Sequence, residues 1–318
     1  MMRIGVVGAG SWGSNIIRNL AELGELAAVC DPTPEKLAGW GRAYPRIQTH
    51  ADYRDLVASP VPAVAIATPT PLHFEIAEAA LRAGKDVYVE KPLTHERETT
   101  AALVDLAAAQ QRILMVGHLL LYQPAMAWIR DYLASGALGE LFAIRHERLN
   151  LGRARSVENV LWDIGVHDMA VMLYLVGDTP SHIRASGHRM LRLGVEDEVH
   201  VHLEFANGIR GNLHVSWLWP ETTRRTIIRG AAGMLVYDEM QQTVTLHRKW
   251  IDNELANHDE GSEVVHRGHG QPLKLELAHF LARIEDRKPP LSDGYSALAV
   301  IETLERISAA LARSGAGH

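Results

Sequence analysis

The sequence is poor in cysteine and lacks a long uninterrupted apolar run, and both absences narrow the class of protein. Its 318 residues include a single cysteine, Cys30, which excludes an internal disulfide framework and a cysteine-based zinc site. Charge-free stretches such as Leu56–His73 are interrupted by prolines and are too short to cross a bilayer. The first residues do not have the charged and apolar segments of a secretory signal. We therefore expect a soluble protein of the cytoplasm.

An excess of basic charge and two common catalytic motifs are also missing. The 32 Lys and Arg residues against 38 Asp and Glu give a formal net charge of −6. This balance excludes a global attraction to nucleic acid or to an anionic membrane. The chain contains no G-x-S-x-G nucleophile turn and no H-E-x-x-H zinc motif, and its 17 histidines are scattered. We therefore predict neither a serine hydrolase nor a catalytic metal.

The first 120 residues alternate short β-branched runs with longer helical segments. This order predicts parallel strands joined by helical crossovers, which is a doubly wound sheet. The predicted strands are Arg3–Val7, Leu26–Cys30, Val64–Thr68, Asp86–Val89 and Ile113–Val116, and the predicted helices are Ser11–Leu23, Pro71–Ala83 and Glu96–Ala109. We interpret residues 1–120 as one domain of an α/β protein.

Residues 121–318 follow a different pattern, which predicts a second, α+β domain. Apolar and polar residues alternate on both sides of Asn207-Gly208, a strong signal for a hairpin turn. Several such runs predict an open, mainly antiparallel sheet with one apolar and one polar face. The polar face is either solvated or a wet subunit interface. We interpret the polar segment Asp252–Gly270 as a mobile loop.

A glycine motif predicts a dinucleotide site in the first domain. Gly8, Gly10 and Gly13 fit G-x-G-x-x-G, and the motif follows a predicted strand and opens a predicted helix. A pyrophosphate can sit on the amide groups of such a helix N-terminus, so Ser11 and Trp12 join the predicted cofactor site. Asp31 ends the second strand, where a carboxylate can bind the adenosine ribose and repel a 2′-phosphate. NAD is therefore favoured over NADP, although Lys36 lies close in sequence; the alternative is a structural glycine turn.

The next two strand ends also carry polar residues that face this expected ligand edge. Ligands of doubly wound sheets bind at the carboxyl ends of the strands. We assign cofactor binding there to Thr68, Pro69, Thr70, His73, Glu90 and Lys91. A lysine at this place can also polarise a substrate hydroxyl and share its proton, so Lys91 is a candidate catalytic residue. The alternatives are a proline-rich connection and a common Lys-Pro turn.

Asp163 and His167 form a second candidate catalytic pair. They stand four positions apart, so a helix would place them on one face. Histidine titrates near neutral pH and suits the removal of a hydroxyl proton, and Asp163 could orient its ring. The alternative is that Asp163 caps a helix and His167 is a structural core residue.

Taken in order, these motifs resemble those of the Gfo/Idh/MocA oxidoreductases. The resemblance rests on GAGSWG, ATPTPLH, VEKPL and a downstream D-x-x-x-H, and it covers nearly the whole chain. It implies a Rossmann domain followed by an α/β domain whose open sheet mediates dimers or tetramers. It also implies catalytic roles for Lys91, Asp163 and His167.

Further segments, among them GHLLLYQPA and RLNLGRARSVENVLWDIGVHD, are similar to one branch of that family. That branch oxidises the 3-hydroxyl of UDP-N-acetylglucosamine with NAD, ahead of an aminotransferase in the synthesis of diamino sugars for lipid A. An arginine-rich strand end fits a diphosphate, because guanidinium groups bind phosphates through charge-assisted hydrogen bonds. The candidate substrate-binding residues are Tyr122, Arg148, Asn150, Arg153, Arg155, Trp162 and Arg224.

Two other functions remain open from the sequence. The same chemistry could act on inositol, another polyol or a different sugar nucleotide. A dinucleotide-binding sensor without catalysis would keep the glycine motif alone. For all three we expect a small-molecule ligand, and neither a nucleic acid nor a membrane as partner.

Overall fold

The computed structural model describes residues 3–152, 154–155, 158–192 and 194–315. The chain forms two compact units: residues 1–119 with 271–301, and residues 120–270 with 302–318. The end of the first segment lies beside the boundary predicted at residue 120. Residues 271–301 return to the first unit, so one cut does not separate the two.

The first unit contains a six-stranded parallel sheet in the order β3-β2-β1-β4-β5-β6. Its central strands are buried along their whole length, because helices cover both faces, and this explains their continuous apolar runs. The strands are β1 Ile4–Val7, β2 Leu26–Cys30, β3 Gln48–His50, β4 Ala63–Ile66, β5 Asp86–Glu90 and β6 Leu114–Gly117. The predicted doubly wound sheet is confirmed.

Helices of the first unit bury apolar stripes against this sheet. In α1, Ile16, Ile17 and Leu20 are fully buried. Three short elements, Pro34–Ala43, Gln48–His50 and Tyr53–Ala58, were not predicted from the sequence, because they have few buried residues and therefore no clear apolar pattern. The helices are α1 Ser11–Glu22, α2 Pro34–Ala43, α3 Tyr53–Ala58, α4 His73–Arg82 and α5 Arg97–Ala109. In addition, Thr70–Leu72 form a 3₁₀ turn before α4.

The second unit contains an eight-stranded sheet in the order β14-β13-β12-β11-β7-β10-β9-β8. The pair β7–β10 is parallel and the other neighbours are antiparallel, as a mainly antiparallel sheet requires. The strands are β7 Leu141–Leu151, β8 Pro180–His188, β9 Glu198–Phe205, β10 Arg210–Ser216, β11 Leu218–Gly230, β12 Gly233–Asp238, β13 Thr243–Ile251 and β14 Asn257–Arg267.

The predicted hairpin and the alternating pattern are both present in this sheet. Strands β9 and β10 pair on either side of Asn207-Gly208, and Gly208 has the positive φ of 86° that this turn requires. Val199, Val201 and Leu203 are buried on one face of the sheet, and helix α7, residues Val166–Val176, packs on this face. The intervening side chains form a polar outer face.

The prediction of a mobile loop over Asp252–Gly270 is wrong. Residues Asn257–Arg267 form β14, which pairs with β13 at the edge of the sheet. The Asp252 side chain accepts the backbone N–H groups of Glu254 and Ala256, at 2.9 Å each, and so closes the turn between the two strands. Charged side chains protect an edge strand from further pairing, and this composition concealed the strand in the sequence.

The remaining helices are α6 Pro124–Ala134, α7 Val166–Val176, α8 Pro272–Asp286 and α9 Gly294–Gly315. Helix α8 belongs to the first unit and packs on α1, and the division between the units falls inside α9. Among the described residues, every helix is too short or too polar for a transmembrane span.

Candidate active site

The glycine loop between β1 and α1 has the geometry of an anion cradle. Gly8 has a φ of +98°, and a side chain there would lie 2.7 Å from the Ala67 carbonyl oxygen. A side chain at Gly13 would collide with the Gly8 carbonyl oxygen. Helix α1 begins after Gly10 without a side-chain cap and without an acidic residue in its first turn. Its first amide groups therefore remain suited to a phosphate.

Asp31 at the end of β2 is a buried anion beside this loop. Its carboxylate accepts the Ala9 N–H at 2.8 Å and the Thr33 N–H at 3.0 Å, and Lys36 Nζ lies 3.2 Å away. Burial alone would raise the pKa of Asp31, but these hydrogen bonds outweigh burial and hold the pKa below its usual range. Asp31 therefore also holds the glycine loop in place, a role that the sequence analysis missed.

The ends of β4, β5 and β6 bring three polar side chains into register. Ile66 pairs with Val89, and Val89 pairs with Val116. Two positions beyond these residues stand Thr68, Lys91 and His118, which we call the strand-end cluster. Thr68 Oγ1 and both ring nitrogens of His118 are buried, and the described part of the chain offers them no hydrogen-bond partner. Such atoms, beside the glycine cradle, fit a polar ligand such as a dinucleotide.

His73 links two of these strand ends. It is 1% exposed, and its ring nitrogens lie 2.9 Å from the carbonyl oxygens of Pro92 and Thr68. Burial lowers the pKa of His73, although the two carbonyls oppose this shift. The imidazole thus connects the loop after β4 to the loop after β5.

Glu90, directly before Lys91, belongs to a buried carboxyl pair. The Tyr88 hydroxyl lies 2.9 Å from Glu90 Oε1 and 3.1 Å from Glu276 Oε2. One phenol proton cannot serve two carboxylates, so one carboxyl group must carry a proton of its own. Burial raises the pKa of Glu276 well above its usual value, and the nearby Glu90 adds to this shift. Burial also raises the pKa of Glu90, so the low-polarity surroundings favour the neutral form of both carboxyl groups. Glu276 lies on α8, and no sequence motif marked it.

In the second unit, Asp163 and His167 lie on either side of a change in helix type. Residues Leu161–Gly165 form a π-helical turn that continues directly into α7. Such turns occur often at functional sites. Asp163 accepts the Trp217 indole N–H at 3.2 Å and an Arg155 N–H at 3.3 Å, so its carboxylate is held firmly. The Trp162 indole donates to Ser308 Oγ at 3.1 Å.

Arg148 lies in a buried ion-pair cluster of the same unit. Its Nε donates to Asp168 and its Nη2 to Glu239, each at 2.8 Å, and Arg224 also contacts Glu239 at 3.3 Å. The Arg148 guanidinium, predicted from the sequence to bind substrate, is therefore already bound by two carboxylates.

The other candidate substrate residues differ in their exposure. Tyr122 is buried, Asn150 is half-buried on β7, the Arg155 side chain is about half exposed, and Arg153 lies outside the described residues.

The outer face of the sheet brings together Glu198, His200 and His214. Each of these side chains has an atom that could bind a metal ion, and the three atoms lie within 4.8 Å of one another. In the described part of the chain, this group has a spacing that could hold a metal. However, the two imidazole rings stack with centroids 3.9 Å apart and planes 21° apart. Nearly parallel rings do not direct their in-plane lone pairs at one ion, and Glu198 already contacts His214 at 2.6 Å. The arrangement is that of a hydrogen-bonded surface cluster.

Two family models match the chain, one in each part. Residues 2–118 match the NAD-binding Rossmann fold of an oxidoreductase family, and residues 126–236 match the GFO/IDH/MocA C-terminal domain. The matches cover more than half of the chain, which therefore belongs to the Gfo/Idh/MocA family of oxidoreductases. Its first unit is an NAD-binding Rossmann domain, as the glycine motif and Asp31 indicated.

Individual relatives of this chain act on different substrates. The UDP-N-acetylglucosamine 3-dehydrogenase of Acidithiobacillus ferrooxidans is 28% identical over 98% of this chain and 97% of its own, with a TM-score of 0.87. An inositol 2-dehydrogenase of Corynebacterium glutamicum is 26% identical over 80% of this chain and 77% of its own. A levoglucosan dehydrogenase solved with NADH shares the fold, with a TM-score of 0.87, 22% identity, and coverage of 98% and 97%.

Proposed function

We propose that this protein oxidises a secondary hydroxyl of a nucleotide-linked amino sugar with NAD, the 3-hydroxyl of UDP-N-acetylglucosamine. The observation that carries the reaction type is the place of Lys91, at a strand end of the NAD-binding unit and in register with Thr68. The choice of substrate is supported by the similarity to a UDP-N-acetylglucosamine 3-dehydrogenase over almost the full length of both chains.

The proposed roles follow from the chemistry of alcohol oxidation. When bound, NAD supplies the acceptor for the hydride that leaves the sugar carbon. His167 accepts the hydroxyl proton as that hydride leaves, and Asp163 stabilises the orientation and the charge of the imidazole. Lys91 donates a hydrogen bond to the same oxygen and stabilises the charge that develops there. The products are a 3-keto sugar, a reduced cofactor and a proton on His167.

We assign recognition of the nucleotide diphosphate to Arg155, together with Arg153. The Arg155 side chain is about half exposed and its contact with Asp163, at 3.3 Å, leaves other guanidinium N–H groups for a phosphate. Arg148 is instead engaged by Asp168 and Glu239, and we propose that it stabilises the domain. Tyr122, Asn150, Trp162 and Arg224 complete the proposed substrate site.

We further propose that the protein is a cytoplasmic homo-oligomer, a dimer or tetramer formed through the polar outer face of the large sheet. A 3-keto product is a substrate for amination, and an aminotransferase that consumes it would draw an unfavourable oxidation forward. This would place the enzyme in the synthesis of diamino sugars such as those of lipid A.

Inositol is the second candidate substrate, because the inositol 2-dehydrogenase relative shares most of the chain. A panel of UDP-sugars, TDP-sugars and inositols, mixed with protein and NAD, separates the two by the appearance of NADH absorbance. Turnover of UDP-N-acetylglucosamine in preference to the other compounds supports the proposal. Turnover of an inositol alone overturns the substrate, and NAD binding without turnover of any compound favours a sensor.

A further inference from the structure

His118 is a buried histidine whose hydrogen-bonding capacity is unused. Its side chain is 3% exposed, and neither ring nitrogen has a hydrogen-bond partner in residues 3–152, 154–155, 158–192 and 194–315. Within the residues that the structure describes, it is the only side chain with two buried polar atoms in this condition. Native proteins seldom leave such atoms without a partner, so the site calls for a ligand that both donates and accepts hydrogen bonds.

The strand order indicates which ligand that is. Asp31, at the adenosine end of the proposed cofactor site, follows β2, whereas His118 follows the edge strand β6. Strands β1, β4 and β5 lie between them, so the two residues are about 19 Å apart at ~4.8 Å per strand. His118 also lies one strand beyond Lys91, which stands at the reacting hydroxyl in the proposed function. A group at His118 is therefore on the substrate side of the site.

The charge state of His118 further limits which ligand group can bind its ring. Burial lowers the pKa of His118 to about 4, and the charge of Lys91 adds to this shift. The ring is therefore neutral at pH 7, with one N–H donor and one acceptor nitrogen. A hydroxyl group matches both, because it also donates once and accepts. A neutral imidazole carries no positive charge to attract a phosphate, so an uncharged sugar hydroxyl is the better match.

We propose that His118 binds a ring hydroxyl of the sugar next to the one that is oxidised, and so helps to select the substrate. This inference rests on the proposed function for the place of the sugar. It makes His118 a binding residue of the first unit, distinct from the proton-transferring pair of Lys91 and His167.

Binding to wild type, His118→Phe and His118→Asn tests the inference without turnover. Affinity for NADH is measured first by fluorescence, and then affinity for each compound of the panel by calorimetry with NADH bound. We expect His118→Phe to keep the affinity for NADH. Its affinity for UDP-N-acetylglucosamine should fall by about tenfold or more, because one hydrogen bond to the sugar is lost. The amide of His118→Asn both donates and accepts and should restore most of the affinity. His279→Phe is the matched control, because that imidazole on α8 accepts the Leu291 N–H at 3.0 Å.

The outcomes separate this inference from the proposed function. If UDP-N-acetylglucosamine binds equally well to wild type and His118→Phe, the inference is overturned and the proposed function is not. Weaker NADH binding in His118→Phe would also overturn it, by assigning His118 to the cofactor. If the wild type binds an inositol instead, and His118→Phe weakens that compound, the inference stands while the proposed substrate fails. A wild-type protein that binds no compound of the panel overturns both.

Discussion

Two clusters of buried polar residues, one in each unit, differ in how their hydrogen bonds are satisfied. In the buried ion-pair cluster of the second unit, Arg148 is held by Asp168 and Glu239 at 2.8 Å. In the strand-end cluster of the first unit, Thr68 Oγ1 and the His118 ring have no hydrogen-bond partner among the residues that the structure describes. Removing one partner from a paired buried cluster leaves an uncompensated charge and is costly, whereas buried groups without a partner already reduce stability unless a ligand binds them. Substitutions in the ion-pair cluster should therefore mainly lower stability, whereas substitutions in the strand-end cluster should mainly lower ligand binding or activity.

The largest effect should come from the proposed proton-transfer residues. General acid–base groups contribute roughly 10²–10⁴-fold, so Lys91→Met and His167→Asn should each lower kcat by about that factor. Residues that act as one unit are not additive, so the double variant should be little worse than the slower single variant. Steady-state kinetics on all three variants measures this, with NADH affinity as the control. Near-normal kcat in both single variants would remove Lys91 and His167 from the reaction.

The next effect concerns stability and the ion-pair cluster. Removing one partner of a buried ion pair leaves a buried charge and typically costs about 3–5 kcal/mol, so Asp168→Ala should lower the free energy of unfolding by that amount. The matched control is Glu263→Ala, which breaks the exposed pair with Arg248 at 3.2 Å and should cost less than ~1 kcal/mol. Urea unfolding compares the two variants. Equal losses would mean that burial does not distinguish this cluster from a surface pair.

A smaller effect links His118 to pH. Its pKa is about 4 in the folded protein and about 6.5 when unfolded, so the unfolded chain binds more protons between these values. Stability therefore falls as the pH drops from 6.5 towards 4, by up to ~1.4 kcal/mol per pH unit. His118→Asn does not titrate, and it should have a shallower slope over this range by that amount. Burial also lowers the pKa of His146, to about 3. Since His146 is present in both proteins, it contributes equally to both slopes, and the difference between the slopes reports His118 alone. Parallel slopes would show that His118 is not buried as described.

The smallest effect concerns the 2′-position of the cofactor. A 2′-phosphate would meet the Asp31 carboxylate, so NAD should be used at least tenfold better than NADP, which is about 1.4 kcal/mol. Lys36 Nζ lies 3.2 Å from that carboxylate and offsets part of its charge, so Lys36→Ala should widen the preference. The ratio of kcat/KM for the two cofactors measures both expectations. If the wild type has equal kcat/KM values for NAD and NADP, Asp31 does not contact the 2′-position of the cofactor.

Local patterns were sufficient to predict the doubly wound sheet of the first unit, but not its short elements α2, β3 and α3 or its segment 271–301. The glycine spacing, the strand before it and the helix after it all lie within one short segment, and the structure has the predicted turn, with Gly8 at positive φ. The alternating residues around Asn207-Gly208 likewise predicted a hairpin that is present. The edge strand β14 was missed, because its polar composition reflects an exposed sheet edge and its partner β13 could not be read from the composition.

The sequence by itself was sufficient to predict the doubly wound fold and the glycine turn, and to propose the candidate residues Lys91, Asp163 and His167, because each depends on short-range spacing. Only the tertiary structure decided which polar side chains are already paired. Arg148 and Glu239 are 91 positions apart, and Tyr88 and Glu276 are 188 apart, yet both pairs are in hydrogen-bond contact. Burial makes such contacts strong when they form and costly when they are absent, and burial depends on the packing of distant segments. The raised pKa of Glu276, the ion pairs of Arg148 and the burial of the His118 ring all follow from that packing.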